Sequence, residues 1–239
     1  TQKNIDNISS WTTNNLMRLN RDKTNYIVFS RARSEFATRF SLDGQILERK
    51  KFTKLLGVWL QEDGGWQKNV EETCKAAYMR VSMLTKLRYA GESIENLLHL
   101  YKQFVRSRLE YCVVAMHSSL TLQQSNALER CQAVSLRVIL QESYVSYDAA
   151  LEMSGLAPLS TRRLERCLDF SLKCIKHEQN KRFFPLNPNT DIQNNVRNRE
   201  RFKVNFARTK TYQMSTIPYC QRLLNAHFSQ TQEERGGGA

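Results

Sequence analysis

Apolar residues fall in two regimes along this chain. Between Leu19 and Leu60 they come in short runs, and from Trp66 to about residue 180 they recur at steps of three and four. The first regime predicts strands. Tyr26-Ile27-Val28-Phe29 is β-branched and aromatic, the composition of a buried strand. Phe40, Leu42 and Ile46 flank Asp43-Gly44, a pair that takes positive φ cheaply and so predicts a two-residue hairpin. Leu55-Leu56-Gly57-Val58-Trp59-Leu60 predicts a closing strand, and a glycine inside a strand marks a bulge or the close approach of a backbone or ligand.

The second regime predicts helices. Val70, Cys74, Ala77, Val81 and Leu84 lie on one face of a helix over 67–89, ended by Gly91. Ser93 is placed to cap the next helix, with Ile94, Leu97, Leu98, Tyr101, Phe104, Val105 and Leu109 inward. Thr121 and Gln124 form a capping box. The helix it opens carries Leu128, Cys131, Val134, Ser135, Val138 and Ile139 inward. A short helix follows around Tyr147–Met153. Gly155 and Pro158 break the chain, and Ser160 is placed to cap a last long helix that buries Leu164, Leu168, Ser171 and Ile175. Helices in series with short connections predict a bundle. Upstream, Ile5, Ile8, Trp11, Leu16 and Leu19 predict one amphipathic helix over 1–18 that faces a core. Beyond Lys181 the period decays, and Asn194–Lys210 is predicted to be irregular and weakly ordered.

Composition adds a partner. With 41% hydrophobic and 25% charged residues the chain is a globular protein. Its net charge of +13, however, favours a polyanion. Nucleic acid is preferred to a membrane face, because runs such as Tyr111–Met116 fall far short of the ~20 residues of a spanning helix. Cys74, Cys112, Cys131, Cys167, Cys174 and Cys220 have no Cys-x-x-Cys spacing, and His99, His117, His177 and His227 supply no matching ligands, so no zinc site is predicted. Thiols on apolar helix faces, with no signal peptide, point to an intracellular compartment, nucleus or cytoplasm. Thr1 in place of methionine implies a start inside a longer polypeptide.

The ordered set Asn20-x-x-Lys23-Thr24, strand, hairpin and Lys54-Leu55-Leu56-Gly57-Val58 resembles the end of the palm in reverse transcriptases of non-LTR (LINE-type) retrotransposons. Trp66 lies where that family often opens its thumb. Arg208-Thr209, Tyr212, Ser215, Ile217-Pro218 and Arg222-Leu223-Leu224-Asn225 resemble the close of its polymerase reading frames. The resemblance implies an α+β, mostly α chain: a short antiparallel palm-edge sheet with a hairpin, then a helical thumb bundle. The implied divisions are a palm remnant over 1–65, a thumb over 66–180 and a basic, weakly ordered tail over 181–239. Residues 1–18 become the palm helix after the catalytic hairpin. In the family the lysine loop sits beside the polymerase site and the Leu-Gly-Val hairpin contacts the primer.

The same family uses two metal ions held by aspartates for nucleotidyl transfer. Here Asp6, Asp22, Asp43, Asp63, Asp148, Asp169 and Asp191 include no adjacent pair, so no metal site is predicted and the chain alone is expected not to polymerise. Mg2+ and its ligands belong to the intact parent, upstream of Thr1. Lys23 is the candidate general acid, or charge stabiliser, toward departing pyrophosphate in that enzyme. Asn20 is expected to brace the loop. Lys50, Lys51, Lys54 and Gly57 form a candidate primer-contacting rim, the glycine admitting a phosphate backbone. Arg80, Arg88, Arg106 and Arg108, on polar helix faces, are candidates to grip an RNA–DNA template–primer hybrid through its phosphates. Arg197–Arg208 is either a further nonspecific nucleic-acid contact or a solubilising linker. The alternative to a polymerase piece is a domesticated transposon remnant, a helical module that binds protein or nucleic acid.

Overall fold

The computed structural model describes residues 2–30, 39–187 and 201–236. The chain is mostly helical with a few short strands, and it divides into two compact units between Glu71 and Glu72.

Unit 1 opens with α1 (Gln2–Asn14), followed by a single 3-10 turn at Arg21–Lys23 and six short strands: β1 (Asn25–Tyr26), β2 (Ser41–Leu42), β3 (Gln45–Ile46), β4 (Glu48–Arg49), β5 (Phe52–Leu55) and β6 (Val58–Gln61). They pair as β1 with β4, β2 with β3 and β5 with β6, and the first of these pairs is parallel. The antiparallel palm-edge sheet expected from the sequence is therefore three separate ladders. The expected strand Tyr26–Phe29 shrinks to a single paired residue, and Phe29 is exposed. Asp43 and Gly44 do turn the β2–β3 hairpin with positive φ at both positions.

The Leu55–Leu60 run is not one strand. Leu55 pairs with Val58, and Leu56 (φ 47°) with Gly57 (φ 85°) makes the two-residue turn between β5 and β6. Positive φ at both central positions is the primed turn that suits the twist of a hairpin. Gly57 is thus explained by the turn, which corrects its reading as a glycine inside a strand. Helix α1 also differs from expectation. Its predicted core face leaves Ile8 and Trp11 exposed, and Thr12 is its buried residue. Unit 1 closes its small core with Leu42, Leu47, Val58 and Val70.

Helix α2 (Gln67–Tyr89) passes from unit 1 into unit 2. Unit 2 continues with α3 (Ile94–Leu100), a π-helical stretch over Tyr101–Arg106, and α4 (Ser107–Leu109). Then come α5 (Val113–Met116), α6 (Leu122–Leu140), α7 (Tyr147–Ser154), α8 (Leu159–Lys176), α9 (Glu178–Lys181), α10 (Lys210–Gln213) and α11 (Thr216–Gly236). Ser93 accepts from the backbone of Asn96, and both arms of the Thr121/Gln124 capping box are made.

The π stretch has a sequence cause. Leu97, Tyr101, Val105 and Leu109 are all buried and spaced by four, whereas an α-helix repeats every ~3.6 residues. The wider π turn returns the stripe to the core. The same adjustment turns Phe104 out, 55% exposed, against its inward prediction.

Helix α8 corrects the reading by one position. Its buried stripe is Leu159, Arg163, Cys167, Ser171 and Cys174, and Leu164 is exposed. Ser160 does not cap the helix. The Glu129 carboxylate of α6 does so instead, accepting from the backbone N–H of Leu159 at 3.1 Å and of Ser160 at 2.5 Å. The chain beyond residue 200 also departs from the weak order expected. Phe184 and Phe202 are buried against Cys174, Cys220 and Leu224, so α8 and α11 share one core. Asn194–Glu200 lie outside the described residues.

Candidate nucleic-acid interface

In unit 1 the Asn20–Thr24 motif builds its own turn. The Asn20 side chain accepts from the Lys23 backbone at 3.1 Å, and the Thr24 hydroxyl donates to the Asn20 carbonyl at 2.8 Å. Side-chain caps of this kind fix a loop without tertiary help. Lys23 stands exposed on it. The loop leads directly into Asn25, whose side chain accepts from the Thr53 hydroxyl of β5 at 3.0 Å, and the Lys50 backbone donates to the Tyr26 carbonyl at 2.9 Å. These links tie the lysine turn to the strand that carries Lys54. The predicted Lys23 and the Lys50–Lys54 segment are thereby brought into one framework.

The rim itself is partly neutralised. Lys50 meets Glu48 at 3.3 Å and Arg49 meets Glu62 at 3.5 Å. Lys54 lies over the Trp59 ring at 5.8 Å, and Lys68 over the same ring at 5.4 Å. Two ammonium groups drawn to one indole concentrate charge beside the hairpin. Lys51 is exposed.

In unit 2 the four predicted arginines part company. Arg108 lies over the Tyr111 ring at 6.0 Å. Arg88 donates to the Glu92 carbonyl at 3.3 Å, which closes the end of α2, and Arg80 is half-buried with one guanidinium nitrogen out of solvent. Arg106 is not on an open polar face. It is half-buried, and desolvation together with the charges of Arg162 and Arg166 pushes its pKa down.

The residues that hold this region are ones the sequence did not single out. Glu110, buried, receives both Arg162 and Arg166. Arg162 bonds to it through Nε and, at 3.1 Å, through Nη2, while Arg166 bonds through Nε at 3.2 Å and Nη2 at 2.9 Å. Burial would raise the Glu110 pKa, but these bonds and charges hold it below the ordinary carboxylate value. An arginine pair at i and i+4 was visible, but its carboxylate lies more than fifty residues upstream.

A second buried network runs from Tyr101 through Gln132, whose amide donates to Tyr147 at 2.9 Å and to the Ala157 carbonyl at 3.0 Å. Tyr147 in turn donates to Glu129 at 2.7 Å. Arg163, fully buried, donates to Ser125 at 2.6 Å.

Among the described residues no three His, Cys, Asp or Glu side chains are grouped to hold a metal ion. The Asp43 carboxylate accepts from the Ser9 hydroxyl at 2.8 Å, and that of Asp63 accepts from the Gln61 amide and from the Gly65 N–H. No helix of the described residues is long and apolar enough to cross a membrane. Comparison of the chain with protein-family models, with curated proteins and with solved structures found no match to any of them.

Proposed function

We propose that this chain is the end of the palm, the thumb and the tail of a non-LTR retrotransposon reverse transcriptase, and that it binds the template–primer hybrid of that enzyme. The observation that carries the reading is the Thr53–Asn25 bond, which joins the Asn20-x-x-Lys23-Thr24 turn to the lysine-bearing hairpin. A loop positioned for the leaving group and a hairpin positioned for the primer have to share one rigid support. The net charge of +13 adds a polyanionic partner.

In the intact polymerase, Lys23 protonates the departing pyrophosphate or stabilises its charge. Positioned proton transfer of this kind contributes about 10²–10⁴-fold. The metal-binding aspartates and Mg2+ belong to the remainder of the parent, and no step is assigned to them here. Lys51 and Lys54 of unit 1 and Arg108 of unit 2 contact phosphates without reading sequence.

The test is binding of an RNA–DNA hybrid across a salt series. Affinity falls linearly on a double-logarithmic plot, and removing Lys51 or Lys54 lowers the slope by about 0.9 each. A flat salt dependence overturns the reading. Primer extension by the isolated chain stays absent with any divalent metal.

A second reading, a helical module that docks a protein, is favoured by one feature. A groove of about 980 Å³ on unit 2 is lined by Cys74, Tyr78, Leu122, Ala127, Arg130 and Val134, and Leu122 is among the exposed apolar residues.

A further inference from the structure

We infer that the segment Phe202–Tyr212, pinned to α11, is a stacking platform for single-stranded nucleic acid, separate from any hybrid-binding surface and independent of the polymerase reading. From Phe202 to Thr209 the segment lies in no helix and no named strand before it enters α10, yet it is fastened at several points. Asn225 of α11 brackets Phe202, accepting from its N–H at 2.8 Å and donating to its carbonyl at 2.9 Å. One turn earlier Gln221, fully buried, accepts from the Asn205 N–H at 2.8 Å and donates to the Phe183 carbonyl at 2.7 Å. Lys203 donates from its backbone to the Pro185 carbonyl at 2.9 Å. The helix thus holds the segment through two side-chain amides spaced by four.

What this fastening presents is an aromatic ring. Phe206 follows the clamped Asn205 and is 84% exposed, and Tyr212 is 46% exposed. The Asn205 amide donates to the Tyr212 hydroxyl at 3.4 Å, so the tip of the second side chain is tied to the residue before Phe206. A core role is excluded for Phe206 by its exposure, and a turn or cap role by its chemistry.

The charge around the rings selects the occupant. Arg201, Lys203, Arg208 and Lys210 are exposed, and no aspartate or glutamate occurs between Arg201 and Gln232. Four exposed cations along the segment with no carboxylate between them in sequence favour a polyanion over an apolar protein partner. Exposed rings amid cations are the arrangement that binds unpaired bases, because every base has a face to stack and every linkage a phosphate. A duplex has its bases stacked internally and offers Phe206 nothing.

The experiment uses the whole chain with fluorescent single-stranded RNA and DNA 20-mers and, in parallel, an RNA–DNA hybrid. Base–aromatic stacking of about 1–3 kcal/mol corresponds to about a five-fold to hundred-fold change in affinity. Phe206→Ala and Phe206→Leu lower single-strand affinity by at least about five-fold, Phe206→Trp retains it, and all three bind the hybrid as wild type does. Phe206→Ala leaves the salt slope unchanged, and Lys210→Ala reduces it by about 0.7. The inference is overturned if Phe206→Ala binds single strands within two-fold of wild type. It is also overturned if Phe206→Leu does, since the contact would then be apolar and not a stack. Loss of hybrid binding in step with single-strand binding also overturns it. A flat salt dependence for the hybrid alone bears on the polymerase reading and leaves the platform standing.

Discussion

Glu110 is the residue on which one end of unit 2 turns. A single buried carboxylate answers two guanidinium groups from α8, with a third, Arg106, close enough to feel their charge. Removing it strands those cations. Glu110→Ala is expected to cost about 3 kcal/mol in urea denaturation, near the lower end for a broken buried pair because Arg166 reaches solvent. His117 gives a separate acid response. Burial, then the charge of Arg163, lowers its pKa to about 4, and its ring nitrogen meets the Tyr219 hydroxyl at 3.2 Å. The unfolded chain binds that proton more readily, so stability is full above about pH 6.5 and is lost progressively down to about pH 4. His117→Phe flattens that limb of a melting-temperature profile. The Glu110 contribution runs lower, being lost only as pH falls below about 4.5 toward its depressed value. Neither residue was legible beforehand. A sequence shows titratable types, and what decided these two was the desolvation and the distant partners that tertiary packing supplied.

Elements were read best where their signals are local. The Thr121/Gln124 box, the Ser93 cap and the Asp43-Gly44 turn need only neighbours in the chain, and each is present as expected. Thr121→Ala is expected to cost about 1 kcal/mol of thermal or chemical stability by freeing the first turn of α6. Reading failed where a long-range partner took over a local role. Ser160 yields its capping place to Glu129, and the stripe of α8 runs through Arg163, whose buried guanidinium donates to Ser125. Gly57 was misassigned for a different reason. An apolar run hides a turn when its first central residue is leucine, a type that adopts positive φ only at a cost. Leu56 bears that cost, so Leu56→Asn or Leu56→Gly is expected to stabilise unit 1, while Gly57→Ala destabilises it by about 1–2 kcal/mol. Chemical denaturation followed by tryptophan emission from Trp59 measures both.

At the scale of the whole molecule the two units differ in how much they bury. Unit 1 rests on a few apolar side chains and leaves Trp11, Phe29 and Leu56 in solvent, whereas unit 2 has continuous buried stripes along α6 and α8. Hydrogen exchange is expected to show the β1–β6 amides exchanging well before those of α6 and α8. Uniform protection across both units would refute that ordering. The mostly helical class was legible from periodicity, and the ordered end was not, because Phe184 and Phe202 come together across a gap in sequence that no local pattern spans. The widened stretch Tyr101–Arg106 also marks where this gene can change. Losing the Lys102 codon there would restore an ordinary helix and keep every apolar residue in the chain. Because a π turn absorbs one extra residue, everything downstream would keep its facing, with Glu110 still on its arginines. The exposed side of this tract is therefore a slack turn, a place where the chain can shorten by one residue without moving its frame.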